Sequence, residues 1–254
     1  MNQQLSPKFD VRLAQSCDDL RAAQRLRYDV FIRELGGTGP MVDHQAGLEQ
    51  DALDGFCDHL LLVDQHTDAV VGVYRLLGPE HATRAGRHYC ATEYDLGPLL
   101  ISNRRLLELG RSCLHPNYRG GDAMHHLWSA LAHYVAQHKI DILFGVASFP
   151  GTDVEALAAP LSLLHHRHLA PSDLRVRALE PHFQDMNLIA PNALDRKAAM
   201  LQIPSLIKAY LRLGGYVGEG AFVDHAFNTV DVCLIMDTAR LSQRQARIYG
   251  HKSQ

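Results

Sequence analysis

Residues 106–127, LLELGRSCLHPNYRGGDAMHHL, gather side chains able to do chemistry. An acid, Glu108, interrupts an apolar run, Arg111 follows three positions on, and a basic glycine loop, Arg119-Gly120-Gly121, leads into an amphipathic segment. A carboxylate in apolar surroundings can take a proton from an amine. A glycine-rich loop opening a helix can hold an anionic group on its backbone N–H groups. In a regular strand Leu107 and Leu109 share one face, and Leu106, Glu108 and Gly110 the other. Arg111 then falls on the leucine face unless the strand bulges, which Gly110 permits; with a bulge, Glu108 and Arg111 reach one pocket. On spacing alone, a catalytic and a structural Glu108 stand level.

Other candidates surround this stretch. Arg27 falls inside the apolar stripe Leu20, Ala23, Leu26, Val30, Phe31, and is read either as snorkelling or as reaching into a site. The aperiodic loop over residues 36–58 carries Asp43, Glu49, Asp51, Asp54 and Asp58, either as a solvated surface or as a seat for a cation. The 16 histidines include neighbours at 125–126 and 165–166, without the H-E-x-x-H form and without cysteines at zinc spacing, so no metal site is expected. Cys113 with His115 lacks the strand-turn context of a nucleophile elbow.

The elements that position these residues follow from periodicity. A strand is expected over 9–14, a helix from Asp18 to Leu35 capped within Ser16-Cys17-Asp18-Asp19 and stopped by Gly36-Gly37, and a hairpin of strands 59–64 and 69–76. Residues 78–99 read as polar and irregular. The strand at Leu106 is followed by a helix over 121–138, a strand over 140–146 and a helix capped by Thr152-Asp153. A strand over 174–178, a helix over 204–213, paired strands over 220–224 and 230–236, and a polar helix over 238–254 complete the chain. This alternation indicates one α/β domain over 1–254, with a core of about 9–165 and an elaborated C-terminal third of about 166–254.

With 254 residues, 46% apolar and 21% charged, the chain can bury a full core. A formal charge of -3 gives no reason to expect nucleic acid as a partner. Five unpatterned cysteines, an N-terminus without the export pattern and no long apolar run give the expectation of a cytoplasmic protein, with surface contact to a membrane left open. The segment IPSLIKAYLRL (203–213) has an apolar face and basic flanks that suit such contact, or simply packs inward.

Several longer stretches carry a resemblance: LRYDVF (26–31), DALDGFCDHL (51–60), VGVYRLL (71–77), ELGRSCLHPNYR (108–119), ASFPGTD (147–153), YLRLGGYVG (210–218) and DHAFNTVDVC (224–233). Together they resemble the ornithine N-acyltransferases, the haemolysin-like branch of the GNAT fold, over nearly the whole chain. The resemblance implies a central mixed sheet flanked by helices. It implies transfer of a (3-hydroxy)fatty acyl group from acyl carrier protein to the α-amine of ornithine, giving lyso-ornithine lipid. No permanently bound cofactor is implied; acyl-phosphopantetheine is the co-substrate. The related acyl-homoserine-lactone synthases have a pattern that falls here on Arg27, Phe31, Glu49, Asp51, Asp54, Arg75, Glu108 and Arg111, with Gly37 where those enzymes place tryptophan. CoA-dependent relatives wrap pyrophosphate with R-G-x-G-x-G/A; here Asp122 and Met124 occupy two glycine slots, which favours a donor without the CoA nucleotide.

The implied roles are Glu108 as base with Arg111 beside it; Asp51, Asp54 and Asp58 on the ornithine ammonium; Arg27 or Arg75 on its carboxylate or ordering those acids; and oxyanion donors after Arg111 or near Ser148. Phe31 lines the substrate site. Arg104, Arg105, Arg119, Gly120 and Gly121 meet the carrier protein and its phosphopantetheine. The alternatives are the same reaction on glutamine or another amino acid, a homoserine-lactone-synthase-like enzyme, a CoA-dependent acetyltransferase, and a non-catalytic acyl or carrier-protein binding module.

Overall fold

A computed structural model describes residues 7–240. In chain order the elements are β1 (Phe9–Leu13), α1 (Cys17–Arg27), β2 (Asp58–Asp64), β3 (Ala69–Leu77), α2 (Pro79–Ala85), β4 (Tyr94–Asp95), α3 (Gly97–Leu100), β5 (Leu106–Leu114), α4 (Ala123–Gln137), β6 (Ile142–Pro150) and α5 (Ala158–His168). They continue with β7 (Arg177–Ala178), β8 (Phe183–Gln184), α6 (Arg196–Gln202), α7 (Ser205–Arg212), β9 (Tyr216–Val217), β10 (Ala221–Asp224) and β11 (Thr229–Asp237). The main sheet runs β1-β2-β3-β5-β6-β11-β10-β8, with β9 also on β11; β4 and β7 form a separate pair. Mixed sheet and flanking helices agree with the expected α/β architecture. In the C-terminal third, β11 pairs with β6 from Thr229↔Pro150 to Asp237↔Ile142 and so lies inside the sheet.

Ser16 caps α1, its Oγ accepting from the Asp19 N–H at 3.1 Å. The helix runs on into a π-helical turn over Tyr28–Glu34, which changes the phase of the side chains after Arg27. Three departures from the expected elements bear on the site. The stretch 78–99 is ordered by α2, a tight turn at Cys90–Thr92 and β4. The helix after Thr152-Asp153 begins only at Ala158, with the Asp153 carboxylate holding a turn at the Ala156 N–H. The polar helix expected over 238–254 lies mostly outside the described residues.

Alternation places Leu107, Leu109, Val232 and Leu234 in one core beneath α4 to α7. Leu106, Phe144, Cys233 and Ile235 face the other side, against the β4–β7 pair. A third cluster packs α1 on β2 and β3 through Ala23, Leu26, Leu61 and Val73. On this second face a gap remains between the α1 cluster and the β4–β7 cluster, and the charged residues collect there.

Two backbone features open the sheet at that gap. The β3–β5 register slips from Val73↔Cys113 to Arg75↔Gly110, so β5 carries one extra residue, and Arg111 takes φ 51°. This is a bulge of the kind that Gly110 permits; it turns Arg111 to the side of Glu108. The parallel pairing of β5 with β6 ends at Glu108↔Phe144. Just beyond, a Cβ on Gly145 would sit 2.1 Å from the Leu109 carbonyl oxygen, so only glycine fits where the strands part.

Candidate active site

The parting of β5 and β6 holds a cavity of about 250 Å³. It reaches both faces of the sheet. Tyr74, Leu143, Leu206, Tyr210 and Met236 wall it on the α4–α7 side; Arg75, Tyr89, Glu108, Arg111, Asp224 and Asp231 wall it on the other. Phe31 and Ser148 are also in the wall. The apolar face of α7 packs inward through Ile207 and Tyr210, so the inward-packing reading of 203–213 is the one realised.

Beside the cavity three guanidinium groups meet three carboxylates. Arg27 is fully buried; its Nε donates to Glu49 and its NH1 to Asp54 at 2.8 Å. Arg75 donates to Asp51 at 2.6 Å and to Asp54 at 2.9 Å. Arg111 donates to Glu49 at 3.1 Å and to Asp51 at 3.2 Å. Gln24 Nε2 donates to the other Asp54 oxygen at 2.9 Å. Burial opposes the Asp54 and Asp51 carboxylates, but Arg27 and Arg75 on the first, and Arg75 and Arg111 on the second, hold both below the usual range. Burial likewise works against the Arg111 cation, and Glu49, Tyr89 and Asp51 outweigh it.

This arrangement revises two expectations. Arg27 does not snorkel: it is completely enclosed and tied to the 49–54 loop. Asp51 and Asp54 are not waiting for a cation, because buried charges are held by charged partners and these have them. Asp58 accepts from the Tyr134 hydroxyl at 2.7 Å and is outside the cavity wall.

Glu108 is buried with both oxygens occupied. The backbone N–H of Tyr89 donates to Oε2 at 2.9 Å, that of Cys90 donates to Oε1 at 2.6 Å, and His88 Nδ1 lies 3.1 Å from Oε2. Burial raises the carboxyl pKa, but the His88 and Cys90 hydrogen bonds prevail and leave it lowered. A base works best with its pKa near the operating pH, and Glu108 has moved away from it. What Glu108 visibly does is fix the 88–90 turn, which lays the Tyr89 ring under Arg111, 4.6 Å from guanidinium carbon to ring centroid.

The basic residues expected to meet the carrier protein also have partners. Arg104 binds Asp237 at 3.0 Å, Arg105 binds Glu80 at 2.8 Å, and Arg119 binds both oxygens of Glu34 at 2.6 and 2.7 Å. Arg119, Gly120 and Gly121 do not line the cavity; the loop instead ties the start of α4 to the π-helical turn.

Sequence reasoning passed over a second acidic group. Glu93, Asp224 and Asp231 each offer a carboxylate oxygen, all within 4.8 Å of one another. Burial first, then Asp231 and Asp224, push the Glu93 carboxyl up to about 9. Burial also raises Asp231, to about 6. Asp231 had a legible signal, an acid between Val230 and Val232 in an apolar strand, the same signal that singled out Glu108. Glu93 had none, lying in a stretch that read as irregular.

Residues 26–129 match the family model of the acetyltransferase (GNAT) domain. An L-ornithine N(alpha)-acyltransferase of Rhodobacter capsulatus is 58% identical over 249 residues, covering 96% of this chain and 95% of the relative. A protein of the same name from Brucella abortus is 42% identical over 250 residues, covering 95% and 89%. Among solved structures, the acyl-homoserine-lactone synthase LasI aligns over 98% of this chain and 100% of its own, at 16% identity and a TM-score of 0.51. The CoA-dependent acyl-homoserine-lactone synthase BjaI aligns over 95% and 88%, at 14% identity and a TM-score of 0.55. These two share the fold. On the identity to its full-length relatives, the chain belongs to the L-ornithine Nα-acyltransferase family of GNAT-fold amino-acid N-acyltransferases.

Proposed function

We propose that the protein moves a (3-hydroxy)fatty acyl group from acyl carrier protein to the α-amine of ornithine, giving lyso-ornithine lipid, the first intermediate of a phosphorus-free membrane lipid. The observation that carries this reading is the two-sided cavity, apolar on one face of the sheet and charged on the other. An acyl thioester lies along the Leu143, Leu206 and Met236 side, and the amino acid lies on the Arg111 side. The neutral α-amine attacks the thioester carbonyl at the gap between β5 and β6. The C–N bond forms, the C–S bond breaks, and the nitrogen's proton ends on the departing thiol. Backbone N–H groups freed where the strands part are the donors for the oxyanion.

In this reading Arg111 and Arg75 face the acceptor's carboxylate, and Arg27 with Glu49, Asp51 and Asp54 keeps them in place. Glu108 serves by holding the Tyr89 turn. The attacking species is the neutral amine, so the rate rises with pH toward the acceptor's own α-amine pKa. Acyl carrier protein rather than CoA is favoured by Asp122 and Met124 in the loop before and within α4, where a nucleotide-binding loop would have glycines. The enzyme works on a lipid product, and peripheral contact with the inner face of the cell membrane belongs to the same proposal; among the described residues no helix is long and apolar enough to cross a membrane.

The test is purified protein with 3-hydroxyacyl carrier protein or the matching acyl-CoA, and ornithine or glutamine. N-acylornithine formed from the carrier-protein donor supports the reading. Preference for glutamine, or for the CoA donor, contradicts it.

A further inference from the structure

The acids Glu93, Asp224 and Asp231 lie where the turn before β4 meets the β10–β11 hairpin. Among the described residues none of the three has a basic side chain within ion-pair distance. Glu93 and Asp231 are 3% and 4% exposed, yet Glu93 Oε2 and Asp231 Oδ1 have no hydrogen-bond partner. A buried carboxylate oxygen without a donor is costly, and folded proteins keep such atoms where something else supplies the donor. Asp224 is aimed by its own turn, Oδ1 accepting from the Ala226 and Phe227 N–H groups at 2.8 and 3.0 Å. Asp224 and Asp231 are in the cavity wall together with the Tyr89 and Phe227 rings.

We propose that Glu93, Asp224 and Asp231 form the subsite for the side-chain ammonium of the acceptor, and so select a cationic amino acid over a neutral one. The inference rests on the reading that this chain acylates an amino acid's α-amine. An ammonium carries three N–H donors and no acceptor, which matches three carboxylate oxygens and satisfies the two orphaned atoms. Burial first, and then the neighbouring acids, raise the Glu93 and Asp231 carboxyls against the pull of Arg111, in agreement with carboxyls confined together without an ion-pair partner. The other three acids, Glu49, Asp51 and Asp54, are already ion-paired with Arg27, Arg75 and Arg111.

The experiment compares ornithine with norvaline, which has the same carbon chain and α-amine but no side-chain amine. Steady-state rates are measured for the wild type, Asp231→Asn, Glu93→Gln and the less buried Asp224→Asn, with the same acyl carrier protein donor. The expected result is a wild-type preference for ornithine that falls by about 30-fold or more in Asp231→Asn. The loss is carried by the KM for ornithine, and continued norvaline turnover shows that the variant is folded. Two results overturn the inference while leaving the reaction standing: equal losses on both acceptors, the mark of a base or a purely structural site, or an ornithine-to-norvaline ratio within about threefold of wild type in all three variants. A wild type that acylates neither amino acid refutes the proposed reaction, and the inference falls with it.

Discussion

Two acidic groups flank one cavity and differ in a single respect. Glu49, Asp51 and Asp54 stand against Arg27, Arg75 and Arg111, charge for charge. Glu93, Asp224 and Asp231 stand against one another. The first group is ion-paired throughout and ties the 49–54 loop to α1, β3 and β5. The second is unfinished until a cation arrives. Acids with partners build a site; acids without them are free to select what enters it.

The largest effect that follows from this contrast is on stability. Removing one member of the balanced group leaves a buried charge uncompensated, which costs about 3–5 kcal/mol. Arg27→Ala is therefore expected to lower the melting temperature by roughly 10 °C, read by thermal denaturation. A change of only a degree or two would remove Arg27 from the scaffold and with it the distinction between the two groups.

Glu108 sharpens the contrast from the other side. Replacing it with Ala strips the acceptors from the Tyr89 and Cys90 N–H groups and from His88, at about 2–4 kcal/mol for several buried donors left without partners. Activity and melting temperature are expected to fall together. A variant with wild-type melting and little activity would restore Glu108 to the role of base.

The unpaired group carries a pH signature. Glu93 has its carboxyl raised from 4.5 to about 9, so the folded protein holds a proton that the unfolded chain has released. That contribution to stability is fully present below about pH 4.5 and is lost as pH rises toward 9. Across this window the wild type is expected to lose more melting temperature than Glu93→Gln, by a few degrees. Parallel melting profiles of the two proteins would contradict a Glu93 carboxyl raised by burial beside Asp231 and Asp224.

The smallest effect concerns Asp58, which accepts one hydrogen bond from Tyr134. Asp58→Asn is expected to cost about 1 kcal/mol or less in stability and to leave the KM for ornithine unchanged. A large rise in that KM would reinstate Asp58 as an acceptor ligand.

Periodicity gave away much of this molecule. The hairpin of β2 and β3, the strand at Glu108, α4 and the β10–β11 pair are all readable from alternation or from i, i+4 spacing. Even the bulge beside Gly110 followed from asking how Arg111 could share a face with Glu108. What a linear reading could not supply was the partner of each charge. Asp51, Asp54 and Asp58 looked available because their partners, the guanidinium groups of Arg75, Arg111 and Arg27 and the hydroxyl of Tyr134, are distant along the chain. Arg104, Arg105 and Arg119 looked like a docking face for the same reason, although each is held by an acid of this chain. Glu93 stayed hidden because short elements such as β4 have no period to detect.

The central claim is that the unpaired acids recognise the acceptor's ammonium, and ligand-dependent melting tests it without requiring turnover. A ligand that binds only the folded state raises the melting temperature according to its concentration over Kd. Ornithine is expected to raise the melting temperature of the wild type, norvaline to do so far less, and Asp231→Asn to respond to the two alike. Ornithine stabilising Asp231→Asn as strongly as the wild type would contradict the claim.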